Sequence, residues 1–293
     1  MDSRAEIQTF LTSRRARLTP AEAGLPSYGG SRRVAGLRRG EVAMLAGVSV
    51  EYYTRLERGN LGGVSDSVLD AVVRALQLDE TERSYLYDLA RAANTSASAR
   101  DRRRPTASKV RPSVQRILTA MTAPAFVRNN RFDILAANPL AAALYCEMFA
   151  GPARPVNTAR FAFLDPCARR FFVDWERIAR DSVGALRIQA GHNPYDKELS
   201  NLIGELSTRS DDFRTRWAQQ EVHVHRFGSK RFHHPVVGEL ELTYDAMELP
   251  GDAGLAMIAY SAEPGSASDN ALKLLASWSA PAELDRTAAT PAS

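Results

Sequence analysis

The chain has 293 residues, enough for two domains with separate cores, and its 44% hydrophobic and 25% charged content excludes a fibrous or wholly disordered protein. No run approaches the ~18 apolar residues that a bilayer span needs, and the first residues carry acids without an apolar h-region, so a cytoplasmic location with no membrane partner is expected. Charge is uneven: residues 1–104 hold 17 Arg and no Lys against 13 Asp and Glu, a net of +4, whereas residues 105–293 sum to zero. An arginine-only excess suits phosphate recognition, because guanidinium presents planar paired donors and keeps its charge, but a solvated surface would carry the same charge.

In chain order, "AEIQTFLTSRRARL" places Ile7, Phe10 and Leu11 at helical spacing. "LRRGEVAMLAG" predicts a helix with Val42, Ala43, Leu45 and Ala46 inward, and "VEYYTRLERG" one with Tyr53 and Leu56 inward. Only Gly47-Val48-Ser49 separates them. The Ser49 hydroxyl is placed to cap the second helix, and Gly47 can take the backbone angles of a sharp turn. So short a turn sets the helices roughly perpendicular, a helix-turn-helix. Glu51, Thr54, Arg55 and Arg58 then fall at i, i+3, i+4 and i+7, a polar stripe that can lie in a major groove. "DSVLDAVVRALQL" repeats the helical period with Val68, Leu69, Val72, Val73 and Leu76. "DETERSYLYDLARAA" opens with Asp79 three residues before Glu82, a capping-box spacing, and aligns Tyr85, Leu86, Leu89 and Ala90. Five short helices thus make residues 1–93 an all-α DNA-binding domain.

Residues 94–110 are polar and rich in Ser, Ala, Arg and Pro, as in an exposed linker. Residues 111–278 read as an α+β domain. "VQRILTAM" is helical, and "PAFVRNNRFDILAAN" is a hairpin of Phe126-Val127 with Phe132 to Ala136 about an Asn129-Asn130 turn. "PLAAALYCEMF", "FFVDWERIARDSVGALRIQAG" and "ELSNLIGELST" return to helical period. "EVHVHRFGSKRFHHPVVGELELTYDAMEL" alternates around a turn at Gly228-Ser229, "GLAMIAYSAE" is a last buried strand, and "SASDNALKLLASW" a closing helix. The Ala/Thr/Pro-rich tail, 279–293, is expected to be disordered.

Cys146 and Cys167 are expected to be buried free thiols. The Gly228 turn would set His223 and His225 on one strand opposite His233 and His234, a chelating geometry, but no Cys or acidic cluster completes it, so neither metal nor cofactor is expected. Nor does the chain contain G-x-S-x-G, Walker A or G-x-G-x-x-G, so catalytic residues and enzymatic activity are not expected.

"LRRGEVAMLAG" with "GVSVEYYTRLERG" resembles the Xre-type helix-turn-helix family of bacterial regulators. That resemblance implies that Val50, Glu51, Thr54 and Arg55, behind the Ser49 cap, face bases, that Arg38 and Arg39 contact phosphate, and that Arg58 and Asn60 hold the adjoining backbone. Glu57 pairs within the domain instead. Farther along, "RPSVQRILTAMTAPAFVRNNRFDILAANPLAAALY", "WERIARDSVGALRIQAG", "ELSTRSDDFRTRWAQQEV" and "HHPVVGELELTYDAMELPGDAGLAMIAYSAEPGS" resemble the C-terminal domain of MmyB-like regulators. What this implies is a PAS-like fold with an apolar pocket suited to fatty-acyl ligands. The sequence departs at Ala137, where a Trp is expected, and a smaller residue there leaves more room. Among many aromatics that are mostly core, Tyr145, Phe149, Phe172, Trp175 and Trp217 are the preferred liners, each on or beside a helix that could close over the sheet.

The leading expectation is a ligand-responsive regulator that binds double-stranded DNA as a homodimer on an inverted-repeat operator. The alternatives are a DNA-binding head on a ligand-free dimerisation domain, or an enzyme with an unrecognised site. A linker of this composition cannot transmit by rigid leverage, so a ligand must change how domains or subunits pack.

Overall fold

A computed structural model describes residues 3–26, 36–94, 109–193, 195–219 and 227–279. They divide into two compact units, one drawn from Met1–Pro105 with Glu176–His225, the other from Thr106–Trp175 with Arg226–Ser293.

The first unit is helical: α1 (Ser3–Arg17), α2 (Arg39–Leu45), α3 (Val50–Glu57), α4 (Asp66–Ala75) and α5 (Glu80–Asn94). Their apolar stripes meet in one core containing Ile7, Phe10, Leu11, Val42, Tyr53, Leu56, Leu69, Val72, Tyr85 and Leu86. The local signals act as chemistry requires. Ser49 Oγ accepts from Tyr52 N–H at 3.0 Å, and Gly47 stands at φ 65°. Asp79 and Glu82 cap α5 reciprocally, each backbone N–H donating to the other's carboxylate at 3.1 and 2.8 Å. Replacing Ser49 by Ala should cost about 1 kcal/mol in a urea melt, since an orphan amide loses its acceptor. Leu45 departs from expectation. The buried stripe of α2 and its cap is Val42, Ala43 and Ala46, and Leu45 stands 36% exposed beside exposed Met44.

Three further helices belong to this unit by their contacts: α11 (Trp175–His192) from Glu176 onward, α12 (Lys197–Arg209) and α13 (Asp211–Ala218). Arg187 of α11 is fully buried and its Nη1 donates to Glu6 Oε1 at 2.6 Å; the Tyr85 hydroxyl donates to the same oxygen at 2.7 Å.

The second unit comprises α6 (Pro112–Ala120), β1 (Ala125–Asn129), β2 (Ile134–Ala137), α7 (Pro139–Leu144), α8 (Cys146–Ala150), α9 (Thr158–Leu164), α10 (Ala168–Phe171), β3 (Phe227–His234), β4 (Gly238–Glu248), β5 (Leu255–Ser261) and α14 (Ala267–Ser279). The strands form one antiparallel sheet in the order β2-β1-β5-β4-β3, with helices between β2 and β3, the PAS-like layout. Alternation gives the sheet two faces. Val127, Leu255 and Met257 pack with Val114 and Leu118 of α6 on one. Phe126, Ile258, Tyr260, Tyr244, Leu242 and Phe232 occupy the other.

Two turns differ from expectation. Phe132 lies in the β1–β2 connection at φ 67°, not in a strand; Asn129 Oδ1 accepts from Arg131 and Asp133 N–H at 2.9 and 3.0 Å and closes the loop over it. Gly228 and Ser229 lie inside β3, paired with Tyr244 and Thr243, and the β3–β4 turn runs over residues 235–237, between the pairs His234 with Gly238 and His233 with Glu239. Pro235 has no N–H to give a ladder and Gly238 supplies φ 76°, so the chain reverses there. The expected turn at Gly228 is therefore absent, and His223 and His225, which it was to bring opposite His233 and His234, fall outside the described residues.

Candidate nucleic-acid interface and ligand-binding core

The stripe on α3 and the turn after it enclose an open hollow of about 330 Å³ lined by Val50, Glu51, Thr54, Arg55, Arg58 and Asn60. Six of the nine DNA-facing candidates therefore share one concave surface. Ser49 sits at its edge as the cap, and Arg38, exposed, immediately precedes α2. Arg55 is exposed, and its guanidinium lies 4.6 Å from the Tyr52 ring centroid.

Arg39 is differently placed. Its Nε donates to Glu57 Oε2 at 3.0 Å, while Glu57, 1% exposed, also accepts from Arg15 Nη2 at 2.8 Å and Thr12 Oγ1 at 2.9 Å. The end of the recognition helix is thus tied to α1 and α2 by one buried carboxylate. Burial pushes the Glu57 pKa up, but hydrogen bonds from Arg15, Arg39 and Thr12 outweigh it and hold the group below its ordinary 4.5. With the folded pKa depressed, the stabilisation is present above the unfolded value and lost as pH falls through the folded one. Helical signal from this unit should therefore weaken as pH drops below 4.5, and a Glu57→Gln variant should lose that part of the acid dependence.

In the second unit the inner sheet face meets an aromatic cluster. Tyr145 lies 5.6 and 6.4 Å from the rings of Phe171 and Phe172 and 5.7 Å from Phe232, and its hydroxyl is 2.6 Å from that of Tyr260. The Trp175 indole N–H donates to Ala162 O at 2.8 Å. Ala137 pairs with Phe126, so a small residue stands where a large ring would meet this face. Phe149 is half-buried on α8. Trp217 is in the other unit, stacked on Phe213 at 5.5 Å with Arg187 4.1 Å from its centroid. The five preferred liners are therefore not one set: Tyr145 and Phe172 share a cluster, and Trp217 serves another core.

Residues 110–275, over half the chain, match the family model of the MmyB-like transcription regulator ligand binding domain. The chain belongs to the MmyB-like transcription regulators. Residues 9–86 match a helix-turn-helix domain. No curated protein matches the chain. As an MmyB-like regulator it is a DNA-binding transcription regulator with a ligand-binding domain, and among its described residues no helix is long and apolar enough to cross a membrane.

Sequence reasoning missed two cations on the inner sheet face of this MmyB-like regulator: Lys230, whose Nζ donates to the Tyr260 hydroxyl at 3.3 Å and lies 4.5 Å from the Tyr244 centroid, and Arg128. Arg128 alternates with Phe126 on β1 and shares its face with Ile258 and Tyr260. Its guanidinium sits 3.9 Å from the Phe132 centroid, and among the described residues no carboxylate pairs with it. Burial lowers its pKa to about 10. The sequence alone did not mark it, because Phe126 and Val127 are both apolar and only the register with β5 puts Arg128 on the inner face.

Cys146 Sγ lies 3.5 Å from His234 Nε2, which looks like a nucleophile beside its base. The histidine is already committed. Its Nδ1 accepts from Val236 and Val237 N–H at 3.2 and 3.3 Å, so the proton sits on Nε2, 3.0 Å from Ala143 O. That nitrogen cannot take the thiol proton, and burial raises the Cys146 pKa. Both cysteines are free, half-buried where full burial was expected. Among the described residues no group of three or more His, Cys, Asp or Glu could hold a metal.

Proposed function

We propose that this regulator reads an inverted-repeat operator as a homodimer through residues 1–93, joined by residues 94–110 to a sensing domain over 111–278 that takes a fatty-acyl-like effector. The observation that supports the effector class is the inner sheet face, mainly apolar and aromatic, with Lys230 on Tyr244 and Tyr260 and with Arg128 at one side unanswered by any carboxylate among the described residues. An acyl chain would lie along the aromatics, near Tyr145, Phe149, Phe172 and Trp175, with its acid end toward Arg128. Each methylene buried contributes roughly 0.8 kcal/mol.

The test is a chain-length series of fatty acids titrated into the full-length protein. A bound acid near a hundredfold above its Kd should stabilise by about 2.7 kcal/mol and shift operator affinity, and Trp175→Ala should reduce both effects. Should no acid move either observable, the domain is a dimerisation module. That second reading is favoured by Leu274 and Trp278, four residues apart on α14 and 47% and 59% exposed.

On DNA, Val50, Glu51, Thr54 and Arg55 would meet bases, with Arg38, Arg39, Arg58 and Asn60 on the backbone. Arg55→Ala should lose about 1–3 kcal/mol of discrimination between operator and mismatched sites. Arg38→Ala should weaken binding to all DNA and lower the salt slope by roughly one. Arg39→Ala is the poorer probe, because it also breaks the Glu57 ion pair. A two-fold dimer would space half-sites about 34 Å apart; a footprint over one unrepeated half-site would oppose the dimer.

A further inference from the structure

The segment α11–α13 is claimed from two sides. It lies within the span that matches the ligand-binding domain, residues 110–275, yet its contacts group it with the DNA-binding helices. Ile188 packs on the helical core, and buried polar contacts lie beside it. Arg187, 0% exposed, donates to Glu6 of α1 at 2.6 Å, and Tyr85 of α5 donates to the same carboxylate. His192, the last residue of α11, pairs with Asp88 of α5. Gly191 lies flat on the Tyr85 ring, where an added Cβ would come within 2.5 Å of Cε2.

The helix that receives this dock also sets the recognition helix. Farther along α1, Thr12 and Arg15 hold Glu57, the last residue of α3, and the backbone of Arg4 packs on Gly59 in the turn that follows. A contiguous set of bonded groups therefore runs from Arg187 through Glu6 and α1 to Glu57. α11 itself begins at Trp175, one of the proposed effector-lining residues. At 1.5 Å rise per residue, Trp175 and Arg187 stand about 18 Å apart on one continuous helix.

We propose that α11 is the transmitting element of this regulator: docked on α1 and α5 through Arg187, it fixes α1 and with it the seat of the recognition helix, and an effector controls DNA affinity by changing the occupancy of this dock. Such a dock, with a few specific polar contacts beside a small apolar one, suits this use, since a packed element with two discrete arrangements can be biased by a differential contact. The physiological use rests on the ligand reading above. The mechanical claim does not, because undocking by mutation must alter DNA binding with no effector present.

Three variants of the full-length protein test it: Gly191→Ala, which wedges α11 off the Tyr85 ring, Glu6→Gln, and Tyr85→Phe, which keeps the ring and removes one bond. DNA selected from a random pool by the wild type serves as operator, unrelated duplex as control, and dodecanoate as the effector probe. Undocking should speed amide exchange in α1 and at the end of α3 and weaken operator binding about tenfold, within the span usual for coupled sites, while unrelated duplex is bound nearly as before. Should Gly191→Ala fail to fold, Tyr85→Phe carries the same comparison. Folded variants with wild-type operator affinity and exchange would overturn the proposal, and so, where dodecanoate shifts the wild type, would variants that keep that shift in full. If dodecanoate leaves the wild type unmoved while the variants still lose operator affinity, the acyl reading fails and the dock stands.

Discussion

Glu57→Ala should destabilise the helix-turn-helix unit by about 3 kcal/mol, the low end of the usual cost of removing one partner from a buried ion pair, because Arg15 is buried whereas Arg39 is half exposed. Arg15 and Arg39 would be left facing each other across an empty space, and Thr12 would lose its acceptor. Hydrophobic burial cannot compensate, because the small side chain fills none of the volume. The measurement is a urea melt followed by helical signal, in which the midpoint falls while the slope stays constant. DNA binding should fall in parallel, since the last turn of the recognition helix loses its tie to α1. A change under about 1 kcal/mol would mean that water reaches Arg15 as it reaches the half-exposed Arg39, and that the network is a surface one.

Phe232→Ala should cost the sheet unit a comparable 3–5 kcal/mol. Phe232 is fully buried, with the rings of Phe171, Tyr145, Phe172 and Tyr260 at 5.5, 5.7, 5.9 and 5.9 Å. Deleting it leaves a cavity that four other aromatics, already packed on one another, cannot collapse to fill. Phe227, in the same strand but 72% exposed, is the control, and Phe227→Ala should stay within about 0.5 kcal/mol. Equal losses from the two variants would mean that the cluster is loosely packed and that the rings are not the source of the sheet's stability.

What the sequence disclosed was encoded within a few residues. Gly47 and Ser49 specify the turn, Asp79 and Glu82 the start of α5, and the α3 stripe its exposed face, because each depends on spacings shorter than two helical turns. The Glu57 network was only half legible: the acid looked structural, but its partners Arg39 and Arg15 lie 18 and 42 residues away. Trp217 was legible in part. Its stacking on Phe213, four residues earlier on the same helix, follows from spacing, whereas the Arg187 guanidinium comes from 30 residues away. The Gly228-Ser229 pair carries a common turn signal, yet Pro235 and Gly238 supplied the stronger one, and the strand ran through the weaker. Arg128 was passed over because a lone arginine between apolar neighbours reads as surface until the register shows which face it is on.

The last strand in the chain, β5, lies in the middle of the sheet, bonded to β1 on one side and β4 on the other. During synthesis the hairpin of β1 and β2 must therefore wait for more than a hundred residues before its neighbour leaves the ribosome, whereas the DNA-binding helices have all emerged long before. A reading-frame break between Glu248 and Leu255 would not shorten the sheet by an edge. It would cut the sheet through its centre, leaving two isolated ribbons of two strands, each only marginally stable in water.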